Sequence, residues 1–340
     1  MADSARDNDD VLQFLQRAGL DTTGLGTKDI ALQPLTGGVS ADIWHVTSGD
    51  RDFVVKRAVP QLRVAQTWMA PLSRNQSEVD WLNEARCIVP EAVPQVLASD
   101  DKLNMFAMTY YPPDIYPLWK RELREGRADP AVASAVGQIA ARIHNATAYS
   151  DAIAQRFATD EAFLSLRVDP YLYATAMRHA DLAETLRAIG RDILANKRAL
   201  VHGDLSPKNI LVGARSPILL DAECAWYGEP AFDIAFCLNH LYLKCVWVPA
   251  AGKNFVACAD ALTEAYLGAI TFEPAADIAQ RIARILPGLM LARIDGKSPV
   301  EYITDENDKA RVRRVARSLL HDEARTLTTI KTDFAAEFAS

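Results

Sequence analysis

The hydrophobic rhythm of this sequence changes at Pro112-Pro113, and that change limits the folds open to it. Before the prolines come brief β-rich runs, Ala31 to Thr36, Asp42 to Thr47 and Asp52 to Arg57, separated by Gly37-Gly38 and Ser48-Gly49-Asp50. Such runs broken by turn residues predict a small antiparallel meander. Val79, Leu82 and Ile88 at helical spacing predict a helix over Ser73 to Val89, with Val96 to Ser99 and Met105 to Tyr110 as two further strands. After the prolines, Asp129-Pro130 reads as the cap and first-turn proline of a helix carrying Val132, Val136, Ile139 and Ile143. Three short β-like pieces follow, Ala199 to Val201, Ile210 to Val212 and Ile218 to Leu220, and helical patterns resume from about Ala231. The predicted class is α+β in two lobes, a small antiparallel-sheet lobe over residues 1–111 and a larger helical lobe over 112–340, with the cleft between them as the expected site.

Composition removes several classes of function. With 49% hydrophobic and 24% charged residues over 340 positions, a packed globular chain is expected rather than a disordered one. Apolar stretches such as Ile285 to Ala292 are broken by Pro287 and Gly288 and fall short of the roughly 20 residues a membrane-spanning helix needs, so no membrane partner is expected. Met1 to Asp10 is acidic and polar, without the basic flank and apolar core of a secretory signal, which makes a cytoplasmic location the expectation. Five cysteines without a C-x-x-C pair suit reduced, buried thiols. A net charge of −7 argues against a nucleic-acid surface, and the cluster Arg311, Arg313, Arg314 and Arg317 reads as a solvated helix face. Nothing in these patterns fixes an oligomeric state.

The chemistry is concentrated in Val201-His202-Gly203-Asp204-Leu205-Ser206-Pro207-Lys208-Asn209-Ile210-Leu211, followed by Leu219-Leu220-Asp221-Ala222-Glu223. Phosphoryl transfer needs a carboxylate near the attacking hydroxyl and oxygen ligands that hold Mg²⁺ against nucleotide phosphates. Asp204 sits where a base can accept or orient the substrate proton, while Asn209 and Asp221 can meet at a metal. A lone H-x-D is usually a turn with a cap; here three parts agree. The run His202 to Asn209 resembles the catalytic loop of the aminoglycoside phosphotransferase and choline kinase superfamily, which has a kinase-like fold. That resemblance implies Asp204 as catalytic base, His202 as the brace of the catalytic loop, and Asn209 and Asp221 as Mg²⁺ ligands. Asp221 to Gly228 further resembles the corresponding segment of methylthioribose kinases, which makes Glu223 either an aid to the metal or its waters or a structural hydrogen-bonding group. Asp233 resembles the buried aspartate that ties the loop from below.

In the first lobe, Leu35-Thr36-Gly37-Gly38-Val39-Ser40 alone reads as a tight hairpin. Phe53-Val54-Val55-Lys56 then resembles the third strand of kinases, where the lysine reaches the α- and β-phosphates of ATP, and in that context the backbone at Gly37, Gly38 and Ser40 would lie over phosphates. Such a lysine needs a carboxylate from the nearby helix. Glu78 and Glu84 both qualify; the spacing from Arg74 through Glu78 to Val93-Pro94 resembles that of methylthioribose kinases and favours Glu78, while the N-E-A-R run at Glu84 resembles other members. Met108 to Tyr111 enters the hinge, where backbone groups at Thr109 and Tyr111 are expected at the adenine edge.

The acceptor is expected to be a small hydroxyl-bearing molecule, such as a sugar, amino alcohol or aminoglycoside-like compound. Protein kinases place a lysine two residues after the catalytic aspartate, where this chain has Ser206, and Asp233 follows Asp221 too closely for a peptide-docking segment. A nucleotide-binding module without turnover is the alternative from another class, and a protein kinase the third. For acceptor contacts, the sequence offers regions: Pro112 to Trp119, Trp226-Tyr227, His240 to Lys244, and the polar turn Arg293 to Ser298, whose other reading is a helix C-cap. His144, on the polar side of its helix, reads as a surface or capping residue.

Overall fold

The computed structural model describes residues 2–20, 30–35, 40–61 and 70–338. Its chain divides into two compact units, Met1–Pro112 and Pro113–Ser340.

The first unit is built on a five-stranded antiparallel sheet, β1 (Ile30–Pro34), β2 (Ala41–Ser48), β3 (Arg51–Ala58), β4 (Val96–Asp100) and β5 (Met105–Thr109), in the order β1-β2-β3-β5-β4. β3 takes the middle because Phe53 to Lys56 is a continuous buried run, as a central strand covered on both faces requires. The β2–β3 hairpin closes on Gly49-Asp50, with Gly49 at φ +59, the left-handed turn that glycine adopts without steric cost. Helix α1 (Ala2–Arg17), for which the sequence reading makes no provision, buries Val11, Phe14 and Leu15 against Trp44, Val46, Phe53 and Val55. Its acidic side is held as well, since Arg57 bonds Asp7 at 2.5 Å, Asp10 at 3.1 Å and Asp42 at 2.8 Å. Helix α2 (Arg74–Ile88) covers the predicted span and buries Val79, Trp81 and Leu82.

The second unit is mostly helical. Its α3 (Trp119–Arg124) and α4 (Pro130–Thr147) are followed by short α5 (Asp151–Arg156) and α6 (Asp160–Phe163), a π-helical stretch Leu164–Tyr173 with Pro170 inside it, α7 (Ala174–Ala176) and α8 (Ala183–Ala195). Asp129 caps α4 as its sequence suggests, accepting the Ala131 N–H at 2.8 Å. Two small antiparallel ribbons come next: β6 (Ala199–Val201) pairs with β9 (Trp226–Gly228), and β7 (Ile210–Leu211) pairs with β8 (Ile218–Leu219). β9 is a strand the sequence pattern does not announce, because its partner lies outside the local window. Helices α9 (Pro230–Trp247), α10 (Gly252–Ala269), α11 (Ala275–Asp295), α12 (Glu306–His321) and α13 (Leu327–Phe338) complete the unit. From Pro230 to Val246 every residue of α9 is buried, the mark of a helix packed on all sides.

The basic cluster on α12 is consumed by ion pairs: Arg311 and Arg314 reach Glu337, Arg313 reaches Asp295, and Arg317 reaches Asp181. Cys224, Cys237, Cys245 and Cys258 are buried free thiols, and Cys87 is exposed. No helix among the described residues is long and apolar enough to cross a membrane.

Candidate active site

The loop after β6 is shaped from beneath by one carboxylate. Asp233, in the first turn of α9, accepts the His202 N–H at 2.7 Å on one oxygen and the Gly203 N–H at 2.9 Å on the other. His144 stands behind it, its Nε2 at 3.4 Å from Asp233 Oδ2 and its Nδ1 at 2.9 Å from the Tyr266 hydroxyl. The expectation that His144 is a surface or capping group is therefore corrected: with α4 packed on α9 and α10 the residue is buried, which its local pattern could not reveal. Gly203 sits at φ +75 and a Cβ there would lie 2.2 Å from the Cys224 carbonyl oxygen, so the loop requires glycine at this point.

His202 is buried, with Nε2 3.0 Å from the Leu220 carbonyl and Nδ1 accepting the Asp204 N–H at 3.2 Å. Burial outweighs the nearby Asp233, Asp204 and Asp221 and lowers its pKa, consistent with a neutral imidazole that donates from Nε2. It braces the backbone on either side of the loop, a positioning role.

Asp204 is buried and faces two cations, Arg167 at 2.8 Å and Lys208 at 2.9 Å, both on Oδ2. Burial works to raise its carboxyl, but Arg167 and then Lys208 outweigh that, with Asp221 opposing them, and Asp204 is held below the usual carboxylate range. A group so held is ionised and can accept hydrogen bonds. Sequence reasoning missed both partners. Arg167 lies in the π-helical stretch and also donates to the Gly203 carbonyl at 2.5 Å, a long-range contact without a local signal. Lys208 had one, since it stands four residues after Asp204 within the motif itself.

Asn209 is buried and donates from Nδ2 to the Asp204 carbonyl at 3.0 Å, which leaves its amide oxygen as a donor atom for a cation. Asp221 follows β8 at φ +64, a left-handed conformation uncommon outside glycine and of the kind found where a fold fixes a functional side chain. Glu223, two residues on, is half-buried and its charge reaches Arg167. Among the described residues no three His, Cys, Asp or Glu side chains gather as a metal cage. Mg²⁺ takes one or two protein oxygens and completes its octahedron with phosphates and water, and the Asn209 amide oxygen and the Asp221 carboxylate are donors of that kind.

In the first unit, Lys56 on β3 and Glu78 on α2 are both buried and form an ion pair at 2.5 Å. Glu84 lies further along α2, half-buried. Arg74, one turn before Glu78, is fully buried and spends its guanidinium on four carbonyls: Ala70 at 3.1 Å, Pro71 at 3.0 Å, Ser40 at 2.6 Å and Val59 at 2.5 Å. It thereby fixes the start of β2, where Ser40 is buried. Gly37 and Gly38 lie outside the described residues. Thr109 ends β5, tied to Gln95 by its N–H at 3.0 Å and its hydroxyl at 3.3 Å; Tyr110 stacks on His45, and Tyr111 is half-buried.

A sheet-based unit with a buried Lys–Glu pair and a helical unit with an H-G-D-x-x-x-x-N loop are the parts of a kinase-like fold. The chain belongs to the phosphotransferase enzyme family, whose model matches residues 31–276. It is 26% identical over 235 residues to methylthioribose kinase 2 of Oryza sativa subsp. japonica, covering 59% of this chain and 53% of that protein. It is 25% identical over 232 residues to methylthioribose kinase of Yersinia pseudotuberculosis, covering 60% and 56%. The chain thus spans about half the length of the curated relatives it matches. Among solved structures, an amicoumacin kinase in complex with AMP-PNP, Ca²⁺ and Ami aligns with TM-score 0.53 at 13% identity, over 94% of this chain and 96% of that one. A choline/ethanolamine kinase family protein from Mesorhizobium loti aligns with TM-score 0.51 at 15% identity, over 91% and 93%. These likenesses establish the fold, α+β and kinase-like, with the antiparallel sheet in the N-terminal part.

Proposed function

We propose that this protein is an ATP- and Mg²⁺-dependent kinase that moves the γ-phosphoryl group to a hydroxyl of a small molecule. The observation that carries the reading is the environment of Asp204: a buried carboxylate, kept ionised by Arg167 and Lys208, on a loop pinned by Asp233. Asp204 accepts the acceptor's hydroxyl proton as the oxygen attacks, and the two cations hold the carboxylate in one orientation while it waits. Lys56, aimed by Glu78, takes the α- and β-phosphates, and the backbone at Gly37, Gly38 and Ser40 covers them. Asn209 and Asp221 hold Mg²⁺, with Glu223 beside them; when bound, the ion supplies charge neutralisation for the phosphates. Backbone groups at Thr109 and Tyr111 meet the adenine.

The family membership and the similarity to methylthioribose kinases support a small-molecule acceptor. The close sequence spacing of Asp221 and Asp233 supports it too, since a peptide substrate needs a docking segment there. Purified wild type and Asp221→Ala, compared for Mg²⁺-dependent ADP formation with a panel of hydroxylated metabolites, test the reading. Activity is expected in the wild type and a loss of about 10²-fold or more in the variant. Nucleotide binding without turnover in the wild type would instead indicate a binding module, and strong labelling of polypeptides a protein kinase.

A further inference from the structure

A second set of buried polar groups lies along α9 beyond the ring that meets Arg167, and the phosphotransfer chemistry does not use it. The face of α9 carries Phe236, His240, Lys244 and Trp247 in one row. Phe236 begins that row under the Arg167 guanidinium, 5.7 Å from its ring centre, and His240 stands against Phe236 with ring centroids 5.3 Å apart. With a helix rise of ~1.5 Å per residue, His240 is about 6 Å and Lys244 about 12 Å further along the axis. The row therefore runs the length of a small metabolite along α9, starting at the ring that meets Arg167, the partner of Asp204.

What the row presents is positive and unsatisfied. Lys244, 1% exposed, has no carboxylate within ion-pairing distance among the described residues; its ammonium lies 4.1 Å from the Trp247 ring centre and 3.8 Å from that of Tyr302. Arg293, at the end of α11, bonds only neutral partners, Tyr171 and the Ser298 carbonyl and hydroxyl, and its Nε is without a hydrogen bond. Also buried without partners are both polar atoms of the Asn239 side chain, Nε2 of His240 and the Tyr302 hydroxyl. Each such atom is costly to bury unless something completes it. At His240 the charges that act are all cationic: burial, then Arg293, Lys244, Lys208 and Lys120, lower its pKa, while Glu301 acts on Lys244 and Tyr302 nearby. Lys208 is answered by Asp204 and Lys120 by the exposed Glu301, while Lys244 and Arg293 form no ion pair among the described residues.

We infer that Lys244 and Arg293, with Asn239, His240 and Tyr302, form a subsite for an anionic group, carboxylate or phosphate, on the acceptor whose hydroxyl meets Asp204. An acceptor ammonium is disfavoured, because the aromatic faces that would bind it already hold the protein's own lysine. This inference rests on the kinase reading above and narrows its substrate class.

The test uses the full chain with Mg·ATP and matched acceptor sets of three to six carbons: D-glycerate, glycerol and serinol; D-gluconate, D-glucitol and D-glucosamine; and glucose 6-phosphate beside glucose. An anionic member is expected to be phosphorylated with kcat/KM at least about tenfold above its neutral and amino counterparts, and gluconate against glucose 6-phosphate separates carboxylate from phosphate. In Lys244→Met the KM for that anion rises about tenfold more than the KM for its neutral counterpart, with kcat little changed. Preference for a neutral or amino acceptor, or equal effects of K244M on all three, overturns the subsite. Calorimetric titration with gluconate and glucose 6-phosphate separates the two readings: no product from any set, with anion binding that K244M abolishes, refutes the kinase and keeps the subsite. Neither product nor anion binding refutes both.

Discussion

Lys56 on β3 and Lys244 on α9 are both buried lysines, and they are buried in opposite ways. Lys56 lies 2.5 Å from Glu78, so its charge is answered within its own unit. Lys244 has two aromatic faces and charged neighbours of both signs; burial, then Lys120, push its pKa down to about 6 against the opposing pull of Glu301, with Arg293 adding the smallest part. Burying a charge is tolerable when a partner is built in, and costly when the partner must come from outside. Lys56 is thus preorganised, while Lys244 is held in readiness for a counter-charge the fold does not supply.

The largest effect expected from breaking this contrast is in Lys56→Met. It removes one member of a buried ion pair and should cost about 3–5 kcal/mol of stability. Denaturant unfolding of the variant measures it. Lys244→Met replaces a buried amine that has no ion pair among the described residues with an apolar side chain, and is expected to leave stability unchanged or raise it. Equal destabilisation by the two substitutions would erase the distinction.

A smaller effect follows from titration. Lys244 has a folded-state pKa of about 6 against 10.5 for an ordinary lysine. Between these values the unfolded chain binds a proton that the folded one lacks, so stability rises with pH across the window and falls as pH drops towards 6. The advantage of K244M over wild type is therefore greatest near neutral pH and shrinks towards alkaline pH, by at most ~1.4 kcal/mol per pH unit. Urea unfolding of both proteins at neutral and at moderately alkaline pH reads the difference, and a constant gap would show that Lys244 keeps its proton.

The same two residues show what the sequence can disclose. Lys56 was legible because an alternating strand ends in it and Glu78 sits on the next helix, so strand, lysine and partner lie within one local pattern. The strands of the first unit and the helices beginning at Arg74, Pro130 and Pro230 were legible for the same reason, as were the polar positions of the His202 to Asn209 loop. Helix α1 was not, since an acidic segment becomes amphipathic only when Arg57 and the sheet are there to receive it. Arg167, the buried His144 and the surroundings of Lys244 depend on contacts between residues far apart in the chain. His240 to Lys244 could be named as an acceptor region, but its sign of charge emerges only when Arg293 and Tyr302 come to meet it.

The most direct measurement is Asp204→Asn in purified protein, with nucleotide binding and phosphorylated product followed separately. Turnover should fall by roughly 10²–10⁴-fold while Mg·ATP affinity stays close to wild type, because in the proposed reaction the substitution removes the hydroxyl's proton acceptor. Wild-type turnover in this variant would contradict the assignment of Asp204 and the phosphoryl-transfer account built on it.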